Sequence, residues 1–438
     1  MALLDDLIDW LRIPSISTGG GDPAALRAAA EWAAERVRAA GGTVALEGDG
    51  EAPPLVVGEL RSSRDDAPTV LIYGHYDVQG PGPLERWASP PFEPTVRDGR
   101  IYARGAADDK GNFLPLLAVA CELAARGELG VHVRVVVEGE EELGSDRVSE
   151  WIRADARGAD CAIIFDSVMA DARTPALTIA TRGIAGAKLR VTAGRRDLHS
   201  GLYGGAALNA AHALMAALAA VLPGPDGRVR EELRAGVVPP PPEEVESWEA
   251  LPSGEQALAE AGARPVSPDA AAEFHLRTGA EPALDVNGIA VGSGAELRTI
   301  VPAVAEAALS VRIVAGQRAA DVAATVERLL RDALPAGAEL EIEWSLAEPA
   351  MFDPEAAPLR LARGALARAC GAEPALLRMG GTLPLLSALA DRGIPAIVTG
   401  FVVPDDEIHA PNESFRLEAL ELGERAAREL YAALAALR

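Results

Sequence analysis

Four short runs rich in aliphatic and β-branched residues constrain the fold most. They are Thr69–Tyr73 (TVLIY), Val131–Val137 (VHVRVVV), Ala162–Phe165 (AIIF) and Ala396–Thr399 (AIVT). Strands this apolar are buried on both faces. Helical stretches separate them. Asp22-Pro23 is a helix start, with an acid at the N-cap and proline in the first turn, and the helix predicted over Ala24–Ala40 ends at Gly41-Gly42. A second helix is predicted over Phe113–Arg126, and a long one over Glu413–Leu437 closes the chain. Apolar strands alternating with helices predict an α/β fold whose sheet is mixed, mainly parallel and covered by helices.

The middle of the chain reads differently. Ala185–Thr192 and Ala303–Ile313 alternate apolar with polar residues, as half-exposed antiparallel strands do. Between them lies a segment with Pro239–Pro242, Pro252, Pro265 and Pro268, and Trp248, Leu251, Phe274 and Leu276 give it enough apolar surface to be a structured insertion. The predicted organisation is one discontinuous catalytic domain, residues 1–182 and 346–438, with an α+β domain inserted at 183–345.

Composition excludes several classes of function. The 438 residues carry a net charge of −24, which argues against a nucleic-acid partner. No apolar run approaches the roughly 20 residues of a membrane helix. Asp5, Asp6 and Asp9 interrupt the first leucines, so the start reads as an amphipathic helix rather than a secretory signal. Cys121, Cys161 and Cys370 are odd in number and far apart, as buried free thiols are, and a cytoplasmic location is expected.

Acidic and imidazole groups follow the apolar runs. His75-Tyr76-Asp77 follows the first, Glu138, Glu140, Glu141 and Glu142 the second, Asp166 the third, and Asp405-Asp406-Glu407-Ile408-His409 the fourth. Asp108-Asp109-Lys110-Gly111 opens a helix. Ligands of open α/β sheets bind beyond the carboxyl ends of the strands, so these groups are expected to converge on one edge. Gathering them without a cation is costly through like-charge repulsion. Mixed His and carboxylate donors suit zinc, manganese or cobalt. His75 and Asp77 point to one face of an extended segment, where Asp77 can hold the imidazole nitrogen turned away from the metal. Glu141 and Glu142 diverge, so one can ligate while the other moves a proton.

In GHYDVQ (Gly74–Gln79), ARGAADDKG (Ala103–Gly111), EGEEELGS (Glu138–Ser145), FDS (Phe165–Ser167), TRG (Thr181–Gly183), DLHSGLYGG (Asp197–Gly205) and the terminal His409, the chain resembles the dinuclear-zinc aminoacylase and carnosinase-type metallopeptidases. The resemblance implies a pair of divalent ions, zinc first and manganese or cobalt as alternatives. His75 and Asp166 would hold one ion, Glu142 and His409 the other, with Asp108 between them. Glu141 would be the general base acting on a metal-bridging water, and Asp77 would orient His75. The inserted domain would be a lid and homodimer surface, with His199 stabilising the oxyanion in the partner's site. Arg312, Thr299 and the Gly380-Gly381-Thr382 loop would meet a substrate carboxylate. The position before the glutamate pair, often Met in the family, is Glu140 here and is expected not to ligate. The stretch Glu348–Leu359 lacks the extra His of the carnosinase branch, which argues against a preference for His-containing dipeptides. His132, His212 and His275 match no motif and read as structural.

The activity implied is amide hydrolysis of dipeptides or short peptides with a free C-terminus. An N-acyl-amino-acid deacylase or a carboxypeptidase on the same scaffold is the alternative. A catalytically silent metal-binding scaffold would require the base to be missing, and Glu141 is present.

Overall fold

The structure, a computed structural model, describes residues 2–48, 50, 52–292, 298–381 and 383–437. Contacts divide the chain into two compact units: Met1–Ile179 with Phe352–Leu377 and Leu383–Arg438, and Ala180–Met351 with Arg378–Thr382. Residues 378–382, which the sequence analysis groups with 346–438, therefore cluster with the inserted segment.

In the first unit a mixed sheet runs in spatial order Thr43–Glu47, Leu55–Leu60, His132–Glu138, Thr69–His75, Cys161–Phe165, Ala396–Thr399 and Ala176–Thr181. The four strands from His132–Glu138 to Ala396–Thr399 are parallel. Both flanks are antiparallel. The apolar runs supply this parallel centre, and Val70, Ile72, Val135, Val137, Ile163 and Ile397 are all buried. Helices Pro23–Ala39 and Lys110–Ala125 pack on the sheet, and Leu417–Leu434 lies against the latter. Asp22 caps the first helix through its side chain, 2.9 Å from the Ala24 N–H. The closing helix starts later than its periodicity predicts. Ser414–Arg416 instead forms a short strand on Arg100–Tyr102, because backbone pairing with a distant segment overrides a local helical pattern.

The second unit is built on an antiparallel sheet in the order Ala283–Val291, Val304–Ile313, Gly183–Thr192, Glu339–Ala347. Its central strands alternate buried and exposed residues, as the sequence pattern predicts. Helices Ala210–Ala219 and Ala319–Asp332 cover the apolar face. The proline-rich segment is structured, with short helices Pro242–Ser247 and Gly254–Glu260 and a buried Trp248.

Candidate metal centre

His75, Glu141, Glu142 and Asp166 lie at or just beyond the carboxyl ends of central strands of the first unit, and Asp108 and His409 meet them from loops. His75 is the last residue of Thr69–His75, and Asp166 follows Cys161–Phe165 directly. Glu141 and Glu142 form a single turn after His132–Glu138, and Asp108 precedes the helix Lys110–Ala125. His409 follows the turn Pro404–Asp406. Two overlapping groups form, His75–Asp108–Asp166 and Asp108–Glu142–His409, each with its ligand atoms within 4.8 Å of one another. Asp108 belongs to both. Its Oδ1 is 3.0 Å from His75 Nε2, and its Oδ2 is 2.9 Å from His409 Nε2. Glu142 Oε2 lies 3.2 Å from the same His409 nitrogen and accepts from Gln79 Nε2 at 2.9 Å.

These donors fit a pair of divalent cations. Glu142 Oε1 is buried and has no hydrogen-bond partner, which is costly unless a cation meets it. Burial, with the charges of Asp108 and Glu142, pushes Asp166 up to about 7. Burial, with Asp166, Asp108 and Glu142, pushes Glu141 up to about 9. Hydrogen bonds to Asp108 and Glu142 raise His409 to about 10. Burial opposes protonation of His75, yet its hydrogen bonds with Asp108 and Asp77 hold its pKa well above the usual value. Without a cation, protons are thus drawn onto Asp166, Glu141 and the two imidazoles, while hydrogen bonds from His409 and His75 outweigh burial and hold Asp108 well below the usual carboxylate range, which is the response of crowded anionic donors. The donor set, two imidazoles and three carboxylates, matches divalent metals that accept nitrogen and oxygen.

Asp77 contacts more than His75. The His75 Nδ1 lies 3.0 Å from the Asp77 backbone carbonyl and 3.3 Å from its carboxylate. The same carboxylate accepts from the Glu141 and Glu142 N–H groups at 3.3 and 3.2 Å and from the Ser17 hydroxyl at 2.7 Å. One buried Asp therefore fixes both the imidazole and the turn that presents the two glutamates. Glu141 stands apart from both donor groups, with Oε2 4.0 Å from His75 Nε2. Glu140 turns to Arg147 at 2.9 Å, so it stays out of the cluster. Gly74 is required by close packing, since an added Cβ would lie 2.9 Å from Asp109 Oδ2 and clash with the edge of the Phe113 ring.

Sequence reasoning missed the support beneath Asp108. Glu413 is fully buried and accepts from the N–H groups of Gly105, Ala107 and Asp108 at 2.9, 2.8 and 3.1 Å. It also accepts from Arg104 at 2.6 Å, and Arg104 donates on to the Ala410 carbonyl at 3.3 Å. One carboxylate thus ties the Asp108 loop to the segment carrying His409, where Glu407 and His409 hold left-handed φ values of 54° and 61°. Such positions cost roughly 1 kcal/mol or more in a non-glycine residue and need this kind of anchoring. The available signal was an acidic residue four positions after His409.

The remaining predicted site residues lie in the second unit. His199 belongs to a two-residue ladder, Leu198–His199 on Ile300–Val301, Thr299 directly precedes its second strand, and the Ser200 N–H donates to the Thr299 carbonyl at 2.9 Å. His199 is exposed, and its Nδ1 accepts from the Gly201 N–H at 3.0 Å, which in the neutral ring leaves the proton on Nε2. Arg312 lies on Val304–Ile313, opposite Ile184 and Ala283. Burial and the neighbouring Arg312 charge lower Arg182 to about 10, and Arg182 Nε donates to the Gly380 carbonyl at 3.2 Å. Gly381 is exposed, and Thr382 lies outside the described residues. Among the other histidines, His132 Nδ1 accepts from the Ser62 N–H at 3.1 Å and His275 Nε2 donates to the Pro252 carbonyl at 2.8 Å, both structural contacts.

Comparison with known proteins gives concordant matches. Residues 71–433 match the family described as Peptidase family M20/M25/M40. A cysteinylglycine-S-conjugate dipeptidase of Corynebacterium striatum is 31% identical over 406 residues, covering 88% of this chain and 85% of that protein. The human Beta-Ala-His dipeptidase is 27% identical over 376 residues, covering 82% of this chain and 73% of its own length. The crystal structure of an M20 family metallo-carboxypeptidase from Sulfolobus solfataricus superposes with a TM-score of 0.87 at 26% identity, covering 100% of both chains.

Proposed function

Because the chain belongs to peptidase family M20/M25/M40, we propose that the cluster around Asp108 is the active site of a metal-dependent dipeptidase acting on short peptides with a free C-terminal carboxylate. The observation that carries this reading is Asp108, whose two oxygens face different imidazoles in two overlapping donor groups. His75 and Asp166 would hold one ion and Glu142 and His409 the other, with Asp108 shared. Two ions bound there, zinc by first preference and manganese or cobalt as alternatives, would supply Lewis acidity and lower the pKa of the attacking water.

The chain's own residues do the rest. Asp77 holds His75 and the glutamate turn in place. Glu141 takes the proton of the attacking water at its carboxylate and returns it to the leaving amine. Arg312, Thr299, Gly381 and Thr382 would receive the substrate carboxylate, for which a guanidinium fork is well shaped. A reducing compartment such as the cytoplasm suits the three free cysteines. No described helix is long and apolar enough to cross a membrane.

The test is amine release from a panel of dipeptides, longer peptides and N-acetyl amino acids, before and after exhaustive chelation. Dipeptides are expected to be the best substrates, with activity lost on chelation and restored by zinc, manganese or cobalt. Activity that survives chelation overturns the reading. The S. solfataricus relative, by its full-length match, favours carboxypeptidase action as the second reading, and preferred hydrolysis of longer peptides would select it.

His199 is assigned to the oxyanion of the partner subunit's reaction, through its Nε2–H. Leu202, Tyr203 and Met215, 76%, 46% and 64% exposed, provide apolar surface in the same unit for a second copy. Mixing inactive His199→Ala and Glu141→Gln chains should restore about a quarter of wild-type activity, since half the dimers are mixed and each has one intact site. No recovery after verified subunit exchange would place His199 in its own chain's site.

A further inference from the structure

The segment leading into Gly380-Gly381 is held from several sides within the second unit. Arg378, 4% exposed, donates from Nε and Nη2 to the two carboxylate oxygens of Glu244, at 2.5 and 2.8 Å. Its Nη1 donates to the Val238 carbonyl at 3.2 Å. Gly279 packs so closely on it that an added Cβ would lie 2.6 Å from the Arg378 carbonyl oxygen. Beyond Arg378, the backbone N–H of Arg182 donates to the Met379 carbonyl at 3.1 Å, and Arg182 Nε to Gly380 at 3.2 Å.

Glu244 is 1% exposed and is the buried residue of the helix Pro242–Ser247, whose Val245 is 43% exposed. That helix is docked by charge rather than by an apolar face. A buried ion pair contributes little net stability over packed apolar groups, because both charges lose their hydration. What a bidentate pair adds is direction: two parallel N–H···O bonds fix the angle and depth of the guanidinium, and with it the backbone two residues before Gly380.

We infer that the Glu244–Arg378 pair positions the Gly380-Gly381 loop for recognition of the substrate carboxylate, so that the proline-rich segment sets specificity for a free C-terminus. This rests on the dipeptidase reading above and deepens it. Glu244 and Arg378 are positioning residues that act through the loop rather than touch the substrate.

The test compares a good dipeptide substrate with its C-terminal amide. In Glu244→Gln, KM for the free acid should rise at least about tenfold, the scale of one charge-assisted contact, with kcat nearly unchanged. The amide, which lacks the recognised group, should keep its kcat/KM, so the preference for the free acid collapses. Glu244→Asp, which keeps the charge, should recover part of the preference. Arg378→Lys, with one ammonium in place of the fork, should lose it, and it reads the same effect should Glu244→Gln fail to fold. Equal losses on both substrates, or a fall in kcat alone, would reduce the pair to a structural role and overturn the inference. A wild-type enzyme without hydrolysis, or without free-acid preference, would overturn the functional reading and this inference with it. A wild-type preference that persists in the variants would overturn this inference alone.

Discussion

Glu141→Gln is expected to lower kcat by at least about two to four orders of magnitude, the contribution of a positioned proton-transfer group, while the protein retains both metal ions. The variant replaces a carboxylate with an amide of nearly the same shape, so the packing of the turn survives. Its backbone N–H still donates to Asp77 Oδ1, and that bond, with the one from Glu142, holds the turn. The side chain lies outside both donor groups, so metal content measured by elemental analysis should not change. An amide accepts no proton at neutral pH, so the step assigned to this side chain cannot occur. A kcat within tenfold of wild type would place the base elsewhere. Loss of the ions together with activity would make Glu141 a ligand rather than a base.

The parts of this site that could be read from the sequence share one property: each is written locally. A continuous apolar run is a buried strand, its end in a parallel sheet faces one edge, and His75, Asp166 and the Glu141–Glu142 pair follow such runs within a few residues. The alternation in Ala185–Thr192 likewise revealed an antiparallel strand with one exposed face. What stayed hidden depends on contacts between distant segments. Glu413 sits where the helical periodicity begins, and its real partners are backbone N–H groups some 300 residues earlier in the chain. Ser414–Arg416 became a strand only because Arg100–Tyr102 was there to pair with it. The two bonds from the Asp77 carboxylate to the glutamate turn span more than sixty residues and leave no periodic trace. The anchoring of the proline-rich segment was equally silent, because a Glu in a run of Pro and Glu gives no sign that it is the buried one.

Asp108→Ala should have the broadest consequence of any single substitution in the cluster. His75 and Asp166 belong to one donor group and Glu142 and His409 to the other, so removing any of these weakens one position directly. Asp108 belongs to both, through separate oxygens 3.0 and 2.9 Å from the two imidazoles. Its loss leaves each position a carboxylate short. Metal content is expected to fall from two ions per chain toward none under dialysis that leaves wild type loaded. Activity should drop at least about a thousandfold, as several kcal/mol of Lewis-acid stabilisation go with the ions. Stability gives a second readout that does not depend on turnover. A ligand that binds only the folded state stabilises it by about 2.7 kcal/mol at a hundred times its Kd, so added zinc should raise the melting temperature of metal-free wild type. That rise should vanish in Asp108→Ala and survive in part in Asp166→Ala, which leaves the second group intact. An Asp108→Ala protein that still binds two ions with wild-type affinity would show that the carboxylate does not join the two positions, and the active-site assignment would fall with it.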